Sequence, residues 1–208
     1  MTLPDPSHYP APVRANVTGL LLAGGLGRRM GGQDKGLVQV DHHTLAQHVL
    51  RRLQPQVGTV LINANRNPKI WAALGWPVVP DFLQGFLGPL AGLHAGLHAC
   101  TTPWLACVPC DAPCLPLDLV PRLASAAQEA GAELAVASAG SQMQPVFALM
   151  RRTALSKLEQ AVHAGRRRAD SWLPMTQHVR VEFADPLAFR NINTPQELQA
   201  LRDESHNS

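Results

Sequence analysis

Residues 21–37, LLAGGLGRRMGGQDKGL, set a glycine-rich, basic loop directly after an apolar run. In a parallel α/β sheet, ligands bind beyond the carboxyl ends of the strands. A loop that begins where the first strand ends, at Ala23, therefore lies where a ligand is expected. Gly24, Gly25 and Gly27 tolerate positive φ, which lets successive backbone N–H groups converge on an anion, and Arg28, Arg29 and Lys35 add positive charge. Phosphate suits that combination. Two common phosphate motifs do not fit it. The dinucleotide fingerprint G-x-G-x-x-G, started at Gly25, meets Met30 where its third glycine belongs, and a Walker loop needs G-K-[ST], whereas Lys35 follows Asp34 and precedes Gly36.

Outward from the loop, short apolar runs alternate with segments of helical period. Residues 17–23, 59–62 and 104–108 read as strands covered on both faces. Between them, Leu45, Val49 and Leu53 mark a helix over 44–53, Leu90, Leu93 and Leu97 one over 90–99, and Leu119, Leu123 and Ala127 one over 117–130. Further strands are predicted at 134–138, 146–150 and 178–183, with a helix over 153–164. A closing helix starts at Thr194, a good N-cap, with Pro195 at the first helical position and Glu197 completing a capping box. The pattern predicts a three-layer α/β/α fold with a mainly parallel sheet.

Length and composition bound the rest. At 208 residues and 46% hydrophobic content, one domain is expected, over 17–204. The first sixteen residues carry four prolines and no apolar core, so they read as a disordered lead rather than a secretory signal, which points to the cytoplasm. Pro103, Pro109, Pro113 and Pro116 interrupt the most apolar region, which argues against a membrane span. The net charge of +3 sits in short arginine groups and aromatics are 5%, a pattern that favours an anionic small molecule over nucleic acid. Cys107, Cys110 and Cys114 mimic a metal or redox spacing, but on a strand Cys107 and Cys110 do not converge without a sharp turn, so reduced, structural cysteines are expected.

Leu22-Ala23-Gly24-Gly25, Arg29-Met30-Gly31-Gly32 and Asp34-Lys35-Gly36-Leu37 resemble the signature of nucleotidyltransferases of the molybdenum cofactor guanylyltransferase type. Asn63-Ala64-Asn65, Asp81, Gly88-Pro89-Leu90-Ala91-Gly92, Pro109-Cys110-Asp111-Ala112-Pro113 and Asn191-Ile192-Asn193-Thr194-Pro195 look like the later motifs of that family, in the same order. The resemblance implies a Rossmann-like nucleotidyltransferase fold. It also implies a reaction in which the terminal phosphate of molybdopterin attacks the α-phosphorus of GTP and pyrophosphate leaves. By the same resemblance, Leu22, Ala23, Gly24, Gly25, Lys35, Asn63, Asp81 and Asp111 contact GTP, Asp111 holds Mg²⁺, and Lys35 and Asp111 act in catalysis with help from Arg29. Transient contact with proteins that supply molybdopterin or mature molybdoenzymes follows from such an activity.

Several residues keep two readings. Asn193 fits turn chemistry before the last helix or a role at the pterin or the metal, and Gly88–Gly92 fits close helix packing or base recognition. Arg166–Arg168 is an exposed charge run or a phosphate holder. His94 and His98 stand four apart on a predicted helix, the spacing of two ligands on one face. No third ligand is near them in the pattern, so a helix surface or a satisfied core position is expected. Three competing functions remain open: a related transferase using CTP or another nucleotide, a non-catalytic nucleotide or pterin carrier, and a redox or zinc protein built on the cysteines.

Overall fold

The computed structural model describes residues 13–24, 34–83, 88–194 and 196–200. The chain runs β1 (Val17–Leu22), a hairpin of β2 (Gln39–Val40) and β3 (His43–Thr44), α1 (Leu45–Leu53), β4 (Thr59–Asn63), α2 (Pro68–Ala72) and β5 (Val78–Val79). It continues with α3 (Pro89–Ala99), β6 (Trp104–Pro109), α4 (Leu119–Glu129), β7 (Leu134–Ala139), β8 (Gln142–Arg151), α5 (Leu155–His163) and β9 (His178–Phe183), and a helical segment follows at 196–200. No described helix is long and apolar enough to cross a membrane.

Seven strands form one sheet in the order β5-β4-β1-β6-β8-β7-β9. All neighbours are parallel except around β8, which pairs antiparallel with both β6 and β7. The sheet is thus mainly parallel, as the alternation of elements predicts. Period-2 alternation divides the core. Val17 and Leu21 of β1 and Trp104, Ala106 and Val108 of β6 face α1 and α4, whereas Leu20, Leu105 and Cys107 face α3 and α5. Helices on both faces make the three-layer α/β/α fold.

Close approach of helix to sheet depends on Gly19 within β1 and on Gly96 of α3. A Cβ on Gly19 would lie 3.0 Å from Leu53 Cδ2, and one on Gly96 would lie 2.3 Å from Leu20 Cδ2, so α1 and α3 sit nearer the strand than alanine allows. α1 begins with a complete capping box, in which Gln47 N–H donates to Thr44 Oγ1 (3.2 Å) and Thr44 N–H donates to Gln47 Oε1 (2.7 Å).

Three elements have no counterpart in the sequence reading: the β2–β3 hairpin, α2 and β5. β8 also starts at Gln142 rather than at 146, because Gln142, Gln144 and the strand-disfavouring Pro145 hide its pairing with β7. The cysteine expectation meets a direct geometric test. Cys107 packs on the α3/α5 face and Cys110 on the α1/α4 face, and all four cysteines are free thiols. Burial pushes the Cys107 and Cys110 thiols far above their ordinary range, and the Asp111 carboxylate adds to the effect at Cys110.

Candidate active site

Strand register sets the site. β1 lies between β4 and β6 with Leu22 opposite both Asn63 and Pro109, so the three strands end flush and the residues that follow share one edge. Beyond it, Asn63 lies opposite Val79 of β5, which brings Asp81 to the same edge. Chain order reverses at β1, with β4 and β5 on one side and β6 on the other. This is the position at which open α/β sheets bind ligands.

One polar cluster closes over β4. Asn63 is 2% exposed. Its carbonyl accepts from Ala23 N–H at 2.8 Å, and its side-chain amide donates to Val79 O (3.2 Å) and Asp81 Oδ1 (2.8 Å). Asn65 completes the network by donating to Asp81 Oδ2 (2.7 Å) while its own Oδ1 accepts from Asp81 N–H (2.8 Å). Gly24 is exposed above this network, with room for a Cβ only at 3.2 Å from Asn63 Oδ1. Gly92, in the first turns of α3, is tighter still: a Cβ there would stand 2.4 Å from Asn63 Oδ1 and 2.6 Å from Leu22 Cδ2. Close packing therefore accounts for Gly92 directly.

A second cluster gathers at the end of β6. Asp34 caps a short 3₁₀ turn over Lys35–Leu37 and is itself 7% exposed, its carboxylate held by Arg66 and by Asn67 Nδ2 (2.8 Å). Gly36 lets that turn sit down, because a Cβ there would be 2.6 Å from Trp71 and 2.8 Å from Cys110 Sγ. Lys35 Nζ consequently reaches Asp111 Oδ2 at 2.7 Å and also donates to Asn193 Oδ1. Asn193 arrives from the far end of the chain. Ile192 N–H donates to Asp111 O (2.8 Å), and Glu197 accepts from Asn193 N–H (2.6 Å) and Thr194 N–H (2.9 Å) while donating its own N–H to Thr194 Oγ1 (3.2 Å). These contacts form the capping box expected at Thr194. They also hold the Glu197 carboxyl below its usual range, chiefly through the Asn193 N–H.

Of the residues singled out from the sequence, Leu22, Ala23, Gly24, Asn63 and Asp81 gather in the first cluster and Lys35 and Asp111 in the second. Gly25 and Arg29 lie outside the described residues. The sequence assigns no role to Asn65, Asp34, Arg66 and Asn67, and leaves two open for Asn193. The signals for them were faint: an Asn-x-Asn alternation past a strand, an acid beside the lysine, and an asparagine before a helix cap. Arg166–Arg168 is exposed, with Arg168 paired to Asp170 (2.9 and 3.0 Å). Its backbone nevertheless runs beside α3, since Arg167 O lies 3.4 Å from the Cβ position of Gly88. His98 is exposed on the surface of α3, as expected, and the expectation needs correction for His94 alone. Glu159 of α5 stands against them, and buried His94 Nδ1 has no hydrogen-bond partner, so the position is not a satisfied core histidine.

A mainly parallel sheet with one reversed strand and a polar edge where the chain order turns is a fold shared with solved structures. Molybdopterin-guanine dinucleotide biosynthesis protein A from Archaeoglobus fulgidus superposes with a TM-score of 0.78 over 92% of this chain and 100% of that one, at 22% identity. 4-Diphosphocytidyl-2C-methyl-D-erythritol synthase from Anaerococcus prevotii gives 0.74 over 94% and 98%, at 8% identity. Sequence narrows the class. Residues 19–181 match the MobA-like NTP transferase domain, and the chain belongs to that family. Among its relatives, the molybdenum cofactor guanylyltransferases of Bordetella petrii and Cupriavidus taiwanensis are 49% and 48% identical over 90% of this chain, which spans 98% and 96% of their lengths.

Proposed function

We propose that this protein transfers GMP from GTP to the terminal phosphate of molybdopterin, releasing pyrophosphate and forming the molybdopterin guanine dinucleotide cofactor. The observation that carries the reading is the Lys35 ammonium, held between Asp111 and Asn193 at the same strand edge as the Asn63–Asp81 network. A nucleotide spanning both clusters has its nucleoside over the amides and its triphosphate at the lysine. Both reactants are anionic, so the protein's task is positioning and charge neutralisation rather than proton transfer. Lys35 exchanges its carboxylate partner for phosphate oxygens and stabilises charge on the departing pyrophosphate, while Asn193 keeps the long side chain aimed. Gly24, and by the family resemblance Gly25 and Arg29, complete the cradle.

The donor set suits a hard divalent ion. Asp111 and Asn193 turn oxygens toward one point that a cationic ammonium already occupies, and Mg²⁺ prefers a carboxylate with substrate oxygens to a cage of nitrogen or sulfur. Asp111 is the residue we assign to hold it. Bound there, the ion supplies charge neutralisation across the phosphates. A cytoplasmic setting, where GTP and Mg²⁺ are plentiful, and transient contact with the proteins that deliver molybdopterin belong to the same proposal.

The test is pyrophosphate release from protein, Mg²⁺ and molybdopterin with GTP, CTP or ATP. Release with GTP at least about tenfold faster than with either competitor is expected, equivalent to about 1.4 kcal/mol or more in transition-state binding. Faster release with CTP overturns the base assignment, and nucleotide binding without release in any arm reduces the protein to a carrier.

A further inference from the structure

We propose that His94, His98 and Glu159 form a second metal site, separate from Asp111, that takes a divalent transition ion of the zinc type and ties α3 to α5. His94 and His98 are one helical turn apart on α3, and their ring centroids are 5.3 Å apart. Glu159 projects from α5, with Oε1 3.5 Å from His94 Nε2. One donor atom from each of the three residues lies within 4.8 Å of the other two, and among the described residues no other trio of histidine, cysteine or acidic side chains gathers this closely. An ion about 2.0–2.1 Å from each donor, in tetrahedral geometry, needs donors about 3.3 Å apart. The His94–Glu159 pair is already near that separation, and His98 and Glu159 have surface freedom to close the remainder.

Chemistry selects the ion. Two neutral imidazoles and a carboxylate make a borderline donor set that favours zinc and its neighbours over magnesium or calcium, which take oxygen. His94 is 5% exposed, whereas His98 is exposed and Glu159 half-buried, so three ligands are anchored on one side and a fourth position is open to water. Ordinary packing does not explain the arrangement. His94 Nδ1 is buried without a partner, and the contact from Nε2 to Glu159 is long for a hydrogen bond. Phe82 stands edge-on to both rings, at 6.4 Å from His94 and 5.7 Å from His98, and screens the pair. Phe82 directly follows Asp81, and α3 carries Gly92 against Asn63, so an ion here braces the wall behind the first cluster.

Zinc titration of the metal-stripped full chain against a chromophoric chelator, with Mg²⁺ present throughout, tests the site. One equivalent is expected in the parent protein, weakened at least about tenfold in His98→Ala and in Glu159→Gln. Zinc in modest excess over the parent's dissociation constant should raise the melting temperature of the parent by about 5 °C and shift both variants far less. Both substitutions fall on side chains that reach solvent, and melting without metal verifies that the variants are folded. Cobalt(II) should give tetrahedral d–d bands without a thiolate charge-transfer band. Zinc binding of equal affinity in parent and variants, no binding at all, or a thiolate band that assigns the ion to the cysteines overturns the proposal.

Discussion

The Asn63 cluster and the Lys35 cluster occupy one edge of one sheet, yet they are held by different means. Around Asn63 nearly every polar atom is committed. The backbone carbonyl and the amide group are bound by neighbouring strands, and both carboxylate oxygens and the N–H of Asp81 are paired with asparagine side chains. Such a network is assembled before a ligand arrives and loses little entropy on binding. Around Lys35 the arrangement is looser. A flexible cation is held by an aspartate 76 positions away and an asparagine 158 positions away, and it can exchange those partners for others. A fixed network of amides around one carboxylate suits recognition of a nucleoside, and a mobile cation suits a reaction in which negative charge moves.

Removing the charge should produce the largest effect. Lys35→Met keeps the length and apolar stem of the side chain while deleting the ammonium. We expect kcat with GTP to fall by about 10³-fold, equivalent to about 4 kcal/mol, with GTP affinity changed by less than about tenfold. Steady-state kinetics together with equilibrium GTP binding separate the two quantities. A loss confined to affinity would mean that Lys35 binds the ground state and transition state alike, and the proposed division between the clusters would fail.

The complementary perturbation leaves the charge alone and disturbs the network. In Gly92→Ala the new methyl meets Asn63 Oδ1 at 2.4 Å and Leu22 Cδ2 at 2.6 Å, both side chains pinned against the sheet. Overpacking of this kind costs about 1–3 kcal/mol, and relief requires Asn63 to swing away from Asp81. The expected result is a KM for GTP raised about tenfold with kcat within about threefold of the parent, alongside a lowered denaturation midpoint. If kcat falls as steeply as in Lys35→Met, the two clusters act as one unit.

Legibility of the molecule in its sequence followed the strength of periodic signals. Strands β1, β4, β6 and β7, helices α1, α3 and α4 and the Thr194 cap could be read because each carries several residues of pattern or a specific capping pair. β5 and the β2–β3 hairpin consist of two-residue strands, too short to show any period, and α2 has five residues, barely more than a turn. Site residues divide the same way. Lys35 and Asp111 stand in dense motifs, and strand register carries Asn63 and Asp81 to one edge. Asn193, Glu159 and Arg66 meet their partners only through tertiary packing, between elements that the sequence does not order relative to one another. Gly36 and Gly92 show how a correct motif can hide its cause, because each is required by neighbouring side chains that a Cβ would strike.

The smallest effect should come from the end of the chain. Thr194 Oγ1 accepts from Glu197 N–H at 3.2 Å, and the Glu197 carboxylate returns bonds to Thr194 N–H and Asn193 N–H. Behind this cap, Ile192 and Leu198 bury themselves with Val40 and Leu45, so the closing segment is anchored to the hairpin and α1. Thr194→Ala removes one half of the capping box and leaves the apolar anchor intact. A loss of about 1 kcal/mol follows from the cap alone, and in a chain of this size it appears as a fall of about 2–4 °C in melting temperature. Asn193 is the adjacent residue and helps aim Lys35, so a looser cap should also lower kcat severalfold while leaving GTP affinity unchanged. That outcome ties the last helix to the charged cluster alone. A variant with lowered stability and full kcat would instead show that Asn193 keeps its aim through Ile192 and Asp111, independently of the helix that follows it.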